Sequence, residues 1–487
     1  MRLSATDAAF LYSETASGPM HISSVFVLEG ELGYERYHQH FAERMHLLPA
    51  YRRKVVMVPF NVAHPKWVDD PDFDLSNHLH HHELPEGVSF QEALDFTVAL
   101  NEPMLDRSKP LWANHIVTGL PGVTMVLNIT HHCMIDGASG VELANIIYDF
   151  DSDPKPPVAP ETTETTETIP PVPGQMELYN EAVMENMRAL GDIKPADWMP
   201  GSGKQRDLMK HASKVFTDFV TKPAITAPFN ASLVSPRRKA NFLKRSFGEL
   251  REVRRAFGGT INDVVLTVVS EGMARYLTHR NQSVANKHMR VMCPVNVRTE
   301  DLKGALGNQV SAIFPMLPAW PMSPTDRLAA VCAEMESIKS NDDAQAMTLA
   351  TEATSGIWPL AMAPTQVVGT PLDPTVWAAR FPLPIMPDLG WQPPNAGINF
   401  VCTNVPGVQV PQYLAGHKVV STIGLLILCG NVGFSTTVLS YNKELFINYI
   451  CDPRMMPDFE VLTESTNAVF DELLAAAREQ LATMTGT

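Results

Sequence analysis

The sequence predicts a mixed α/β protein built as two units. Three observations carry that reading. At 487 residues the chain exceeds what one hydrophobic core ordinarily holds. Apolar, β-branched runs such as "SSVFVLEG" and "VTMVLNIT" alternate with helical text such as "YERYHQHFAERM". A proline-, threonine- and glutamate-rich interruption, "DFDSDPKPPVAPETTETTETIPPVPG", cannot bury enough apolar surface to order itself and reads as a linker. The division is therefore residues 1–152 as a first unit, 153–239 as linker and crossover helices, and 240–487 as a second unit.

In chain order, "SATD" is a capping box, Ser4 with Asp7, that opens a short helix. The strand-like and helical runs quoted above fill the first unit up to the linker. Helical segments "QMELYNEAVMENMRALG" and "QRDLMKHASKVFTDFV" follow it. Strand text resumes at "SLVSPRRKANFLKRS". The stretch "VVSTIGLLILCGNVGFSTTVLSYN" is broken by Gly, Asn, Ser and Thr, so it reads as two buried strands around "CGNVG" rather than a membrane span. A long helix, "DFEVLTESTNAVFDELLAAAREQLATM", closes the chain. Residues 353–387 carry only Asp373 and Arg380 as charges; they read either as an irregular buried loop or as an apolar patch for a lipid surface.

Composition excludes several functions. A net charge of −15 argues against nucleic-acid binding. The six cysteines form no C-x-x-C pair, which fits a reducing compartment and neither a disulfide framework nor a zinc site. "MRLSATDAAFLYSE" lacks the apolar core of a signal peptide. No H-E-x-x-H is present, and "HLHHH" (His78, His80, His81, His82) lacks regular ligand spacing and reads as a solvated strand edge. "GASGV" fails the serine-nucleophile elbow at Val141. "PGSGKQ" fails the phosphate loop, with Trp198 for the first glycine and Gln205 for the Ser/Thr. No metal and no cofactor is expected.

What remains is "VTMVLNITHHCMIDG". Along a strand side chains alternate, so Val123, Met125, Leu127, Ile129 and His131 share an apolar face. Asn128, Thr130 and His132 share the other. That asymmetry assigns a structural role to His131 and a chemical one to His132. Gly137, just after Asp136, suits a tight turn. Leu143, Ile146, Ile147 and Phe150 then stand at helical spacing, so a helix packs back on the sheet. A neutral histidine can take a proton from a hydroxyl near pH 7. Asp136 can orient that ring, as in a triad, or brace the loop through an arginine.

The stretch "HHCMIDG" resembles the HHxxxDG signature of condensation-type acyltransferases, the superfamily of chloramphenicol acetyltransferase. The blocks "LSATDAAFLYSE…PMHI", "PLW" (Pro110 to Trp112), "INDVVL" from Ile261, "PVNVR" from Pro294, "GNQVS" from Gly307 and "TNVPG" from Thr403 resemble, in order, the bacterial wax ester synthase/acyl-CoA:diacylglycerol acyltransferases. That resemblance implies two chloramphenicol acetyltransferase-like units facing each other across a central tunnel. It implies His132 as general base on the hydroxyl of a diacylglycerol or long-chain alcohol, with acyl-CoA as a substrate. His131 supports it, and Asp136 braces the loop, with Arg298 as an ion-pair partner. Asn262 and Asp263 match the "ND" block; Asn262 is either an oxyanion donor or a helix N-cap. Arg237, Arg238 and Lys239 either meet CoA phosphates or form a solvated turn. The resemblance also implies a protein at the inner membrane face or on lipid bodies. Two alternatives stay open: a glycerolipid-type acyltransferase using His131 and Asp136 as H-x4-D, and a non-catalytic acyl-chain-binding protein of lipid bodies.

Overall fold

The structure is a computed structural model that describes residues 1–135, 143–157, 170–192, 217, 224–296, 310–340 and 397–485. Asp136, Gly137 and Arg298, the loop 353–387 and nearly all of "QRDLMKHASKVFTDFV" lie outside them.

The first element is α1, Ala5–Ser13, capped by Ser4, whose side chain accepts from the Asp7 N–H. Then come β1 (His21–Glu29), α2 (Tyr34–Ala42), β2 (Arg53–Val56), β3 (Lys66–Asp69), β4 (Leu79–Glu83), α3 (Phe90–Ala99), β5 (Trp112–Leu120) and β6 (Val123–His131). The linker leads to α4, Gln175–Asp192. The second half contributes β7 (Lys239–Ser246), α5 (Phe247–Phe257), α6 (Ile261–His279), β8 (His288–Asn296), β9 (Val310–Ile313), β10 (Met316–Pro318) and α7 (Pro324–Ser340). After these follow β11 (Phe400–Pro406), β12 (Tyr413–Leu414), β13 (His417–Leu425), β14 (Phe434–Tyr441), β15 (Glu444–Cys451) and α8 (Phe459–Thr485).

Two mixed sheets result. The first runs β12-β13-β1-β6-β5-β4, and the second β10-β8-β11-β14-β15-β7 with β9 beside β8. The two buried strands read on either side of "CGNVG" are β13 and β14, but they join different sheets. β13 leaves the second half of the chain and pairs antiparallel with β1, Ser24 opposite Gly424. Gly424 is required there: a Cβ at this position would stand 2.9 Å from Thr437 Cγ2 and 3.1 Å from Leu439 Cδ1 of β14. So β13 is the junction at which the sheets touch, and the first sheet is not made by residues 1–152 alone.

The packing logic is ordinary. α8 lies against α5, α6 and α7, all from the second half. One apolar cluster joins Val25, Leu127 and Ile129 of the first sheet to Phe434, Val438 and Ile447 of the second. α3, held by a Ser89–Glu92 capping box, bridges β5, β6 and β7. A second cluster gathers Leu28, Val126 and Trp112 with Ile147 and Tyr148. Phe150 departs from the expectation: helical text ends at residue 147 and Phe150 is exposed. Three residues past the helix end, its ring has left the periodic face.

Candidate active site

β6 is a central strand, antiparallel to β1 on one side and β5 on the other. Its apolar face, with Met125, Leu127 and Ile129, is buried to 2% exposure or less. His131 ends that face and is itself fully buried. Its peptide N–H donates to Leu111 O at 2.9 Å, so the "PLW" block sets the strand end. Trp112 is a packed aromatic, stacked between Tyr51 and His78 at 4.6 and 4.4 Å, with its indole N–H donating to Tyr51 O.

Of the two ring nitrogens of His131, Nδ1 is hydrogen-bonded and Nε2 stands close to a carboxylate. The Cys133 N–H donates to Nδ1 at 3.1 Å, which fixes Nδ1 as the unprotonated acceptor. Nε2 therefore carries the hydrogen, and it faces Glu14 Oε1 at 3.4 Å. His21, opposite His131 in the register, approaches the same oxygen at 3.7 Å. Burial lowers the His21 pKa to about 4, against the opposing pull of Glu14.

His132 sits differently. It is half-buried, its ring stacks on Phe10 at 3.9 Å with 7° between the planes, and its N–H donates to Met20 O at 2.8 Å. Ile22, Ser24 and Asn128 share its face and are also half-buried, while Thr130, between Asn128 and His132, and Val126 are buried. The His132 imidazole thus keeps partial exposure at the end of the strand, while its neighbour is closed in.

Glu14 is the residue that sequence reasoning missed. It caps the C-terminus of α1, and its side chain is 1% exposed. It accepts from Met20 N–H at 3.1 Å and from Arg107 Nη2 at 2.8 Å; Arg107 also donates to Leu11 O. Burial alone would raise its pKa. The opposing interaction with the His131 Nε2–H, with the Arg107 and Met20 donors, brings it down to about 2. The signal in "LSATDAAFLYSE" was the i, i+4 spacing of Phe10 and Glu14, which puts both on one side of a helix. Nothing local says which histidines they meet.

Several of the remaining expected residues are engaged elsewhere. The N-cap in "TIND" is Thr260, not Asn262. Thr260 and Asp263 close a capping box, with Asp263 Oδ2 accepting the Thr260 N–H at 2.7 Å. Asn262 stands in the first turn, outside that box. Arg238 is buried and its guanidinium donates to the carbonyls of Ser17, Ser235, Arg237 and Leu428, which corrects its reading as a phosphate ligand. Arg237 is exposed and pairs with Glu102 at 3.3 Å. Of "HLHHH", Leu79 to His82 lie in the edge strand β4, whereas His78 precedes it and is buried against Trp112 rather than solvated. Among the described residues no group of three His, Cys, Asp or Glu could hold a metal.

A wax ester synthase/diacylglycerol acyltransferase catalytic-domain model matches residues 3–265, and the C-terminal-domain model of the same family matches 306–474. The chain belongs to this family. A WS/DGAT from Marinobacter aquaeolei VT8 superposes with a TM-score of 0.63, at 20% identity over 98% of this chain and 100% of that one. The starter condensation domain of rhizomide synthetase, solved with C8-CoA and Leu-SNAC, gives 0.56 at 13% identity, covering 98% and 94%. Among WS/DGAT relatives, a Mycobacterium tuberculosis protein named as a diacylglycerol O-acyltransferase is 27% identical over 98% of both chains. A second from that organism is 24% identical over 99% of this chain and 97% of its own. The WS/DGAT chain described here is accordingly an acyltransferase with the mixed-sheet, two-domain condensation fold.

Proposed function

We propose that this protein transfers a long-chain acyl group from acyl-CoA to diacylglycerol or a fatty alcohol, with His132 as general base. The carrying observation is the contrast at the end of β6. His131 is fully buried, its Nδ1 accepting the Cys133 N–H and its Nε2 3.4 Å from Glu14, whereas His132 is half-buried. His132 takes the acceptor's hydroxyl proton as the oxygen bonds to the thioester carbonyl carbon. Collapse of the tetrahedral intermediate breaks the C–S bond, and the imidazolium returns the proton to the sulfur as CoA leaves. No acyl-enzyme forms. Asn262, outside the capping box, is the residue we assign to the oxyanion; such a donor is typically worth about 3 kcal/mol.

The full burial of His131 weighs against the H-x4-D alternative, which needs that ring as base. We place the protein at a membrane or lipid-body surface, because its acceptors reside there. Among the described residues no helix is long and apolar enough to cross a membrane. Phe60, held out at positive φ and against Tyr179, joins exposed Met176, Met184 and Met187 of α4 in an apolar face suited to that contact. The test offers labelled palmitoyl-CoA with hexadecanol, dioleoylglycerol or glycerol-3-phosphate. Ester is expected with the first two acceptors and not the third. A protein that binds palmitoyl-CoA but acylates none of them would be a scaffold, and the proposal would be wrong.

A further inference from the structure

The helix that opens the chain delivers two side chains to the histidine pair. We infer that Glu14 is a positioning residue for the His132 base; this rests on the general-base reading above.

Three connections run from Glu14 to that ring. Through His131, Glu14 Oε1 faces the Nε2–H at 3.4 Å while the Cys133 N–H holds Nδ1, so the carboxylate favours one orientation of that ring. His132 is the next residue, and its side chain leaves the strand on the opposite face. Through Met20, the carboxylate accepts the Met20 N–H at 3.1 Å, and the Met20 carbonyl accepts the His132 N–H at 2.8 Å. Through α1 itself, the Glu14 N–H donates to Phe10 O, and Phe10 stacks on the His132 ring. The buried carboxylate therefore holds the neighbour and the backbone of the base, and the same residue's peptide N–H ties in the turn that carries Phe10.

The charge is what makes it work. Arg107 places two donors on Oε2, and Met20 and His131 converge on Oε1. A glutamine of the same shape turns one acceptor into a donor, facing N–H groups that already point inward. The shell then has to rotate away, and His132 moves with it. The ring does not leave the site, so substrate binding is spared and the chemical step suffers.

Glu14→Gln is assayed with palmitoyl-CoA and dioleoylglycerol, beside Glu14→Ala with and without formate, and His132→Ala. For Glu14→Gln the expected result is a kcat lower by about 10- to 100-fold, since displacing a reacting group by about 1 Å costs on that order. The KM for palmitoyl-CoA should stay within about threefold. Formate, which restores a carboxylate beside Arg107, should recover part of the activity of Glu14→Ala. Wild-type kcat in Glu14→Gln would overturn the inference. Because a buried substitution can fail to fold, ¹⁵N-histidine NMR of the wild type gives an independent arm. His131 must show protonated Nε2 and bare Nδ1; the opposite tautomer would also overturn it. His132→Ala separates the two claims. If it is inactive while Glu14→Gln is unimpaired, only the positioning role falls; if it is active, the general-base reading falls.

Discussion

His115 lies on β5 with His80 and His82 of the edge strand β4 around it, its Nδ1 3.0 Å from His82 Nε2. Burial first, and then the neighbouring His80 and His82, lower its pKa from 6.5 to about 3. A base whose pKa is depressed on folding is protonated earlier in the unfolded chain. Stability is therefore fully present above pH 6.5 and is lost as pH falls from 6.5 towards 3. At pH 4.5 the unfolded chain has gained about two pH units of proton binding that the folded state lacks, roughly 2–3 kcal/mol. His21, with a pKa of about 4, adds a loss of similar size over pH 6.5 to 4. Together they approach 5 kcal/mol, a large part of a typical 5–15 kcal/mol total. His115→Leu removes the larger shift and leaves a side chain that packs on the sheet. Urea unfolding at pH 7.5 and pH 4.5 should show the wild type losing about 2 kcal/mol more than the variant on acidification. Equal losses in the two proteins would refute the reasoning.

Two further substitutions test the surroundings of the site. Phe10→Leu keeps volume but removes the ring stacked on His132; an aromatic contact worth about 0.5–1.5 kcal/mol predicts a kcat lower by about two- to tenfold at unchanged KM, read in the same steady-state assay. Replacing Phe60 and Met184 by serine should reduce flotation with dioleoylglycerol-containing liposomes without lowering activity on detergent-dispersed acceptor; unchanged flotation would remove this face from the membrane contact.

Much of this architecture was legible because it is periodic. Alternation placed His131 on the apolar side of β6 and His132 on the other, and the breaks in "VVSTIGLLILCGNVGFSTTVLSYN" separated β13 from β14. Periodicity says nothing about partners at long range. β13 carries the same kind of alternation whether it pairs with β14 or crosses to β1, so its place in the first sheet was not readable. The same limit hid Glu14. A glutamate closing a short helix reads as a solvated cap until the fold brings His131, more than a hundred residues later, against it. Arg238 erred in the other direction: beside Arg237 and Lys239 it looks like surface charge, yet four carbonyls from three loops draw it inside. Phe150 shows how little an extrapolated period is worth past a helix end.

The most direct measurement is the single-turnover rate of acyl transfer from bound palmitoyl-CoA to hexadecanol, in wild type, His131→Ala and His132→Ala. With His132 as the base, His132→Ala should bind palmitoyl-CoA as the wild type does and transfer it about 10²- to 10⁴-fold more slowly. A His132→Ala enzyme that transfers at the wild-type rate would contradict the account.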